Sequence, residues 1–174
     1  MDIQEKIKLT GVQPLNVQAP SGTRPLIVAD LANDDEKYWM QLTDTVYSRP
    51  LMINAHDGGW IECFKVTGKG LINRHRHSTP AFVYGLEGEF GYLEHDFVLG
   101  PGSILYETVG ESHTFVCFSE GGMKAIAVML GPLTIVDETG KDLMTIDSLG
   151  VLDLYKKHCA EAGLGEGFAE ALVR

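Results

Sequence analysis

Three histidines carry the chemistry this chain could perform: His75 and His77 in Asn73-Arg74-His75-Arg76-His77, and His113 in Gly110-Glu111-Ser112-His113. In a β-strand, side chains two apart share a face, so His75 and His77 point one way while Arg74 and Arg76 point to solvent or to acidic partners. Neutral imidazole serves Fe, Zn, Cu and Ni alike. The spacing therefore predicts a metal pincer waiting for further ligands, and His113 on a second strand is the next donor. Alternation over residues 112–118 places His113, Phe115 and Cys117 on one face.

These residues need many short strands to position them. Between the two histidine segments, Ala81-Phe82-Val83-Tyr84-Gly85-Leu86 and Glu89-Phe90-Gly91-Tyr92-Leu93-Glu94 flank Glu87-Gly88, a pattern that predicts a hairpin with a two-residue turn. In that register Leu86 pairs with Glu89, Val83 with Tyr92 and Ala81 with Glu94. Further strands are expected at 45–48 and 51–53, with Pro50 at a bulge or edge, and at 60–66, 97–99, 103–106, 124–130 and 133–136, with a last hairpin at Asp137-Glu138-Thr139-Gly140. Such a series predicts a sandwich or barrel.

Residues 1–40 read as an arm broken by Pro14, Pro20, Gly22 and Pro25, with one strand at Leu26-Ile27-Val28 and a charged turn before Trp39. Residues 41–146 are the barrel, and 147–174 a helical tail of the same domain. There Asp147 or Ser148 caps a helix whose apolar face is Leu149, Leu152, Tyr155 and Cys159, Gly163 stops it, and a short helix covers 168–172.

The chain has 174 residues and a net charge of -10, which disfavours nucleic acid and anionic membranes as partners. Cys63, Cys117 and Cys159 are too few and scattered for a disulfide framework, so reduced thiols and a cytoplasmic location are expected. The N-terminus carries no apolar signal region, and no run approaches a membrane span.

The histidine segments resemble the two motifs of the cupins, G-x5-H-x-H-x(3,4)-E-x6-G and G-x5-P-x-G-x2-H-x3-N. His75, His77 and Gly88 match the first, with Gly70 one residue closer; Gly102, Gly110 and His113 match the second. Ala81 stands in place of the motif glutamate, Thr108 in place of the proline and Cys117 in place of the asparagine. The resemblance implies an all-β fold, a single cupin jelly-roll barrel with an N-terminal arm and a C-terminal α-helix, and a metal held by His75, His77 and His113. The hairpin register then offers Glu94, directly across from Ala81, as the fourth ligand or as a catalytic carboxylate.

A narrower resemblance is to the 2,4'-dihydroxyacetophenone dioxygenase family and related three-histidine enzymes such as acetylacetone dioxygenase. It rests on Asn73-Arg74-His75-Arg76-His77, Leu86-Glu87-Gly88-Glu89, Gly91-Tyr92-Leu93-Glu94-His95-Asp96, Tyr106-Glu107, Gly110-Glu111-Ser112-His113-Thr114 and, in the tail, residues 152–159 with Gly163-Leu164-Gly165. It implies a homodimeric non-haem Fe(II) enzyme, with Zn, Ni or Mn as other metals, cleaving a C–C bond of a small hydroxyketone or diketone, aryl hydroxyketone-like, with O2. The pocket expected around the metal comprises Phe90, Tyr92, Phe115, Cys117 and, at the rim, Met52. Two other readings stand beside it: a metal-binding sensory cupin, and a zinc-dependent non-redox enzyme.

Overall fold

The computed structural model describes residues 1–15, 22, 27 and 29–174. Eleven strands among these residues are β1 (Met40–Gln41), β2 (Val46–Ile53), β3 (Trp60–Val66), β4 (Gly70–His77), β5 (Ala81–Glu87), β6 (Phe90–Tyr92), β7 (Ile104–Glu107), β8 (Ser112–Cys117), β9 (Met123–Met129), β10 (Leu133–Val136) and β11 (Asp142–Ile146). They form two antiparallel sheets, ordered β1-β2-β3-β9-β5-β7 and β11-β10-β4-β8-β6. Alternate residues turn inward from both: Trp60, Phe64 and Val66, then Ala81 and Val83, then Met123, Ala125, Ala127 and Met129 from the larger sheet, meeting Phe90, Tyr92, Phe115 and Cys117 from the smaller. That shared interior is the barrel core. Pro50 lies at a register shift between β2 and β3, where its missing N–H breaks no continuous ladder.

The hairpin expected around Glu87-Gly88 does not form. β5 pairs with β9 and β7, whereas β6 crosses to the other sheet and pairs with β8. Gly88 adopts φ 69° and passes so close to the Gly122 carbonyl that a Cβ would lie 2.2 Å from it, making it a corner between sheets. Alternation satisfies the inner face of either sheet equally, so the pattern alone does not separate a hairpin from a sandwich corner. Residues 97–99 contribute one bridge, Leu99 to Phe90.

The N-terminal segment holds α1 (Ile3–Thr10), where Asp2 and Glu5 cap each other's backbone N–H groups and Gly11 closes the end at φ 69°. A draped arm was expected there, and the capping box is the local signal that favours helix. Of the strand expected at Leu26-Ile27-Val28, Leu26 and Val28 fall outside the described residues. In the tail, α2 (Ser148–Glu161) starts at Asp147, whose carboxylate accepts from Gly150 N at 2.8 Å. It buries Ser148, Val151, Tyr155 and Cys159, while Leu149 is exposed; the inward stripe is thus rotated from the expected one. After α3 (Glu166–Glu170), the chain runs beside β2, with Val173 bridged to Ile53.

Candidate metal centre

His75 and His113 are direct register partners on β4 and β8, and His77 follows on the same face of β4. All three are at least 96 % buried, with exposures of 4 %, 4 % and 1 %. The Nε2 atoms of His75 and His77 are 3.0 Å apart, and those of His75 and His113 3.1 Å. Asn73 Oδ1 accepts from His75 Nδ1 at 2.7 Å, which leaves the Nε2 lone pair turned inward. Tyr92 stacks on His113 at 4.1 Å between ring centroids and holds it from the other side.

The carboxylate that meets them is Glu107. It sits on β7 in the opposite sheet, 4 % exposed, and its register partner is Ala81. Glu107 oxygens lie 3.3 Å from His77 Nε2, 3.3 Å from His113 Nε2 and 4.0 Å from His75 Nε2. Ala81, with no exposed surface and a single methyl, leaves the space that the longer side chain fills. A cross-strand carboxylate thus compensates for Ala81, but from β7.

Glu94 takes no part. β6 ends at Tyr92, the chain turns, and the exposed Glu94 accepts from Thr114 N at 2.7 Å and from Thr114 Oγ1 at 2.6 Å. The hairpin register that aimed it inward is absent. The signal for Glu107 was available in Ile104-Leu105-Tyr106-Glu107, where alternation with the half-buried Leu105 puts an acid on an inward face.

Burial opposes ionisation of Glu107, yet hydrogen bonds from His113 and His77, the His77 charge and the Tyr92 hydroxyl hold its pKa well below the usual carboxylate range. Burial, reinforced by the neighbouring His113 and His77, lowers His75 to about 3, with Glu107 pulling the other way. Burial and the Glu107 charge push the Tyr92 phenol up, so it remains a donor. The centre therefore sets an anionic oxygen on Glu107 against a neutral imidazole at His75.

This donor set fits a divalent cation. His75, whose Nδ1–H is spent on Asn73, turns its Nε2 lone pair toward the Nε2 atoms of His77 and His113 at 3.0 and 3.1 Å, close enough for one cation to be shared among the three. Donors about 2.1 Å from one ion are about 3.0 Å apart at right angles and about 4.2 Å apart when opposite. The four residues bring donor atoms all within 4.8 Å of one another, a spread that one such ion would span.

Beside the cluster is a cavity of about 80 Å³, lined on one side by His75, Asn73, Tyr92 and Glu107 and on the others by Phe64, Val83, Phe115, Met129 and Glu62, with Leu42 also on its wall. Tyr92 and Phe115 line it as expected. Phe90, Cys117 and Met52 do not: Phe90 is fully enclosed by packing, Cys117 Sγ turns to Ser119 O at 3.5 Å, and Met52 lies beyond the β2 register shift. On the outside, Arg76 pairs with Asp142 at 2.6 Å and His95 with Glu111 at 2.6 Å. Among the described residues no helix is long and apolar enough to cross a membrane.

Two facing sheets with histidines on one and a carboxylate on the other define a metal-site cupin. The family model of the ChrR cupin-like domain matches residues 29–134, and the chain belongs to that family. Its fold is similar to that of an RmlC-like cupin protein from Ralstonia eutropha JMP134, with 26% identity and a TM-score of 0.67 over 72% of this chain and 83% of that one. It is also similar to a cupin-like protein of unknown function from the same organism, at 20% identity and a TM-score of 0.65 over 68% and 75%. The acetylacetone dioxygenase of Acinetobacter johnsonii shares the fold at 14% identity, with a TM-score of 0.64 over 82% and 97%. No curated protein matches the sequence.

Proposed function

We propose that this chain is a metal-dependent dioxygenase that cleaves a C–C bond of a small hydroxyketone or diketone, with Fe(II) held by His75, His77, His113 and Glu107. The observation that carries the reading is a four-donor cluster opening onto a small, mostly apolar cavity. A purely structural metal site is closed by its ligands and needs no such space.

Bound Fe(II) would supply open coordination positions and the redox capacity for O2 chemistry. The chain's own residues do the rest. Asn73 fixes the His75 ring, Tyr92 stacks on His113 while donating to Glu107, and Glu107 stays ionised as an oxygen ligand rather than a proton store. Phe64, Val83, Phe115 and Met129 exclude water around the reacting carbons. At about 80 Å³ the cavity is far below the roughly 300–1,000 Å³ of drug-sized pockets, which favours small aliphatic substrates over aryl hydroxyketones. The structural likeness to an acetylacetone dioxygenase supports the same substrate class.

Anaerobic loading with Fe(II) followed by oxygen-uptake measurements on β-diketones and hydroxyketones tests the proposal. Uptake with a small diketone or hydroxyketone, abolished by His113→Ala, is the expected result. The family match favours one second reading, a metal-binding sensory cupin. Tight stoichiometric zinc in protein from its native host, with no oxygen uptake on any compound, would establish that reading instead.

A further inference from the structure

A second carboxyl faces the interior, and the metal cluster does not use it. Alternation along β3 turns Glu62 inward between Trp60 and Phe64. Its register partners are Pro50 on β2 and Ala127 on β9, and Ala127 in turn pairs with Val83 on β5. This row is small and apolar, so the glutamate is the long polar side chain in it. Ser48, 1 % exposed, donates its hydroxyl to Glu62 Oε2 and fixes one carboxyl oxygen. The indole of Trp60, 2 % exposed, lies on the same inner face, and its Nε1–H is drawn toward the Glu62 carboxyl without closing a hydrogen bond of normal geometry. A carboxyl in an otherwise apolar wall is costly to keep without polar partners for both of its oxygens.

Glu62 lines the same cavity as His75 and Glu107. It is not a further metal ligand: β3 and β7 are separated by β9 and β5 in the sheet order, about 14 Å at roughly 4.8 Å per strand along the curved sheet. A small molecule bound at the cluster through two oxygens would therefore turn its other end toward Glu62.

We propose that Glu62 is a specificity-determining residue of this cavity, hydrogen-bonding a third oxygen of the substrate at the end distal to the two that approach the His75, His77, His113 and Glu107 cluster. The inference rests on the dioxygenase reading above and narrows its substrate class to small diketones or hydroxyketones with an additional acceptor oxygen, such as a β-keto ester. Burial pushes the Glu62 pKa up against the pull of Ser48 and Trp60. That bias toward the neutral carboxyl supplies an O–H donor to a ligand oxygen and keeps the two interior carboxyls in opposite roles.

The test uses the full chain loaded with Zn(II), which binds chelating probes without turning them over. Acetylacetone, with two oxygens, and methyl acetoacetate, with three, are titrated calorimetrically into the wild type, Glu62→Gln and Glu62→Leu, with metal content measured alongside. The expected wild-type result is tighter binding of the three-oxygen probe by about tenfold, the scale of one hydrogen bond. Glu62→Leu should erase that preference with metal content unchanged, and Glu62→Gln, which retains a donor, should keep part of it. A merely structural role would weaken both probes equally. Loss of metal in the variants, no wild-type preference, or a preference that survives Glu62→Leu would overturn the proposal while leaving the dioxygenase reading standing. Failure of the wild type to bind either probe would overturn both.

Discussion

Replacing Glu107 by glutamine keeps the shape of the centre and removes its one negative charge. The carboxylate lies 3.3 Å from two imidazole nitrogens and 4.0 Å from the third, so a cation held by those nitrogens is closer to it than about 4 Å. At that separation a unit charge pair is worth about 4 kcal/mol with an effective dielectric constant near 20. The carboxylate's desolvation offsets part of this, and breaking one side of a buried pair typically costs about 3–5 kcal/mol. Divalent-metal affinity should accordingly fall by about 10²- to 10³-fold, at about 1.4 kcal/mol per factor of ten. Competition against a chromophoric chelator at neutral pH, with Zn(II) and anaerobically with Fe(II), measures it. Glu94→Ala is the matched control: it loses the bonds to Thr114, costing about 1 kcal/mol of stability, and leaves metal affinity unchanged. If Glu107→Gln binds metal like the wild type while Glu94→Ala does not, the assignment of the fourth ligand is wrong.

Asn73→Ala frees the His75 ring, and metal affinity should drop about 10- to 100-fold in the same competition assay. In the metal-free protein His75 stays neutral down to about pH 3, while the unfolded chain protonates it from about 6.5. The unfolded state therefore binds more protons, and this contribution to stability is full above pH 6.5 and lost as pH falls. Between about pH 7.5 and about pH 5 it amounts to on the order of 2 kcal/mol, so His75→Asn should lose that much less on acidification in chelator-treated urea titrations. Met129→Ala widens the cavity wall. It should raise oxygen uptake with aryl hydroxyketones relative to acetylacetone while lowering stability by about 2–5 kcal/mol in thermal unfolding.

The barrel was legible because its strands alternate and its turns are marked by glycine, so the segments at β3, β4, β8 and β10 could be read nearly to the residue. The histidines were legible for the same reason, since a face shared at spacing two needs only local geometry. The fourth donor was not, because which strand lies beside Ala81 is a long-range fact. Glu94 and Glu107 sit at equally plausible alternation positions, and only the passage of β6 into the other sheet separates them. Glu62 escaped notice because a lone acid in a strand ordinarily faces water. Its inward orientation follows from Trp60 and Phe64, the buried residues two positions to either side on β3.

The placement of Glu107 has a kinetic consequence. β7 is four residues long and terminates its sheet, with β5 as its one strand partner among the described residues. Fraying there would withdraw the anionic oxygen while leaving the imidazole face intact, a cheaper excursion than opening the whole domain. Ion release should then keep pace with deuterium uptake at the amides of Leu105 and Glu107, making the rim of the sheet the door through which the cation comes and goes.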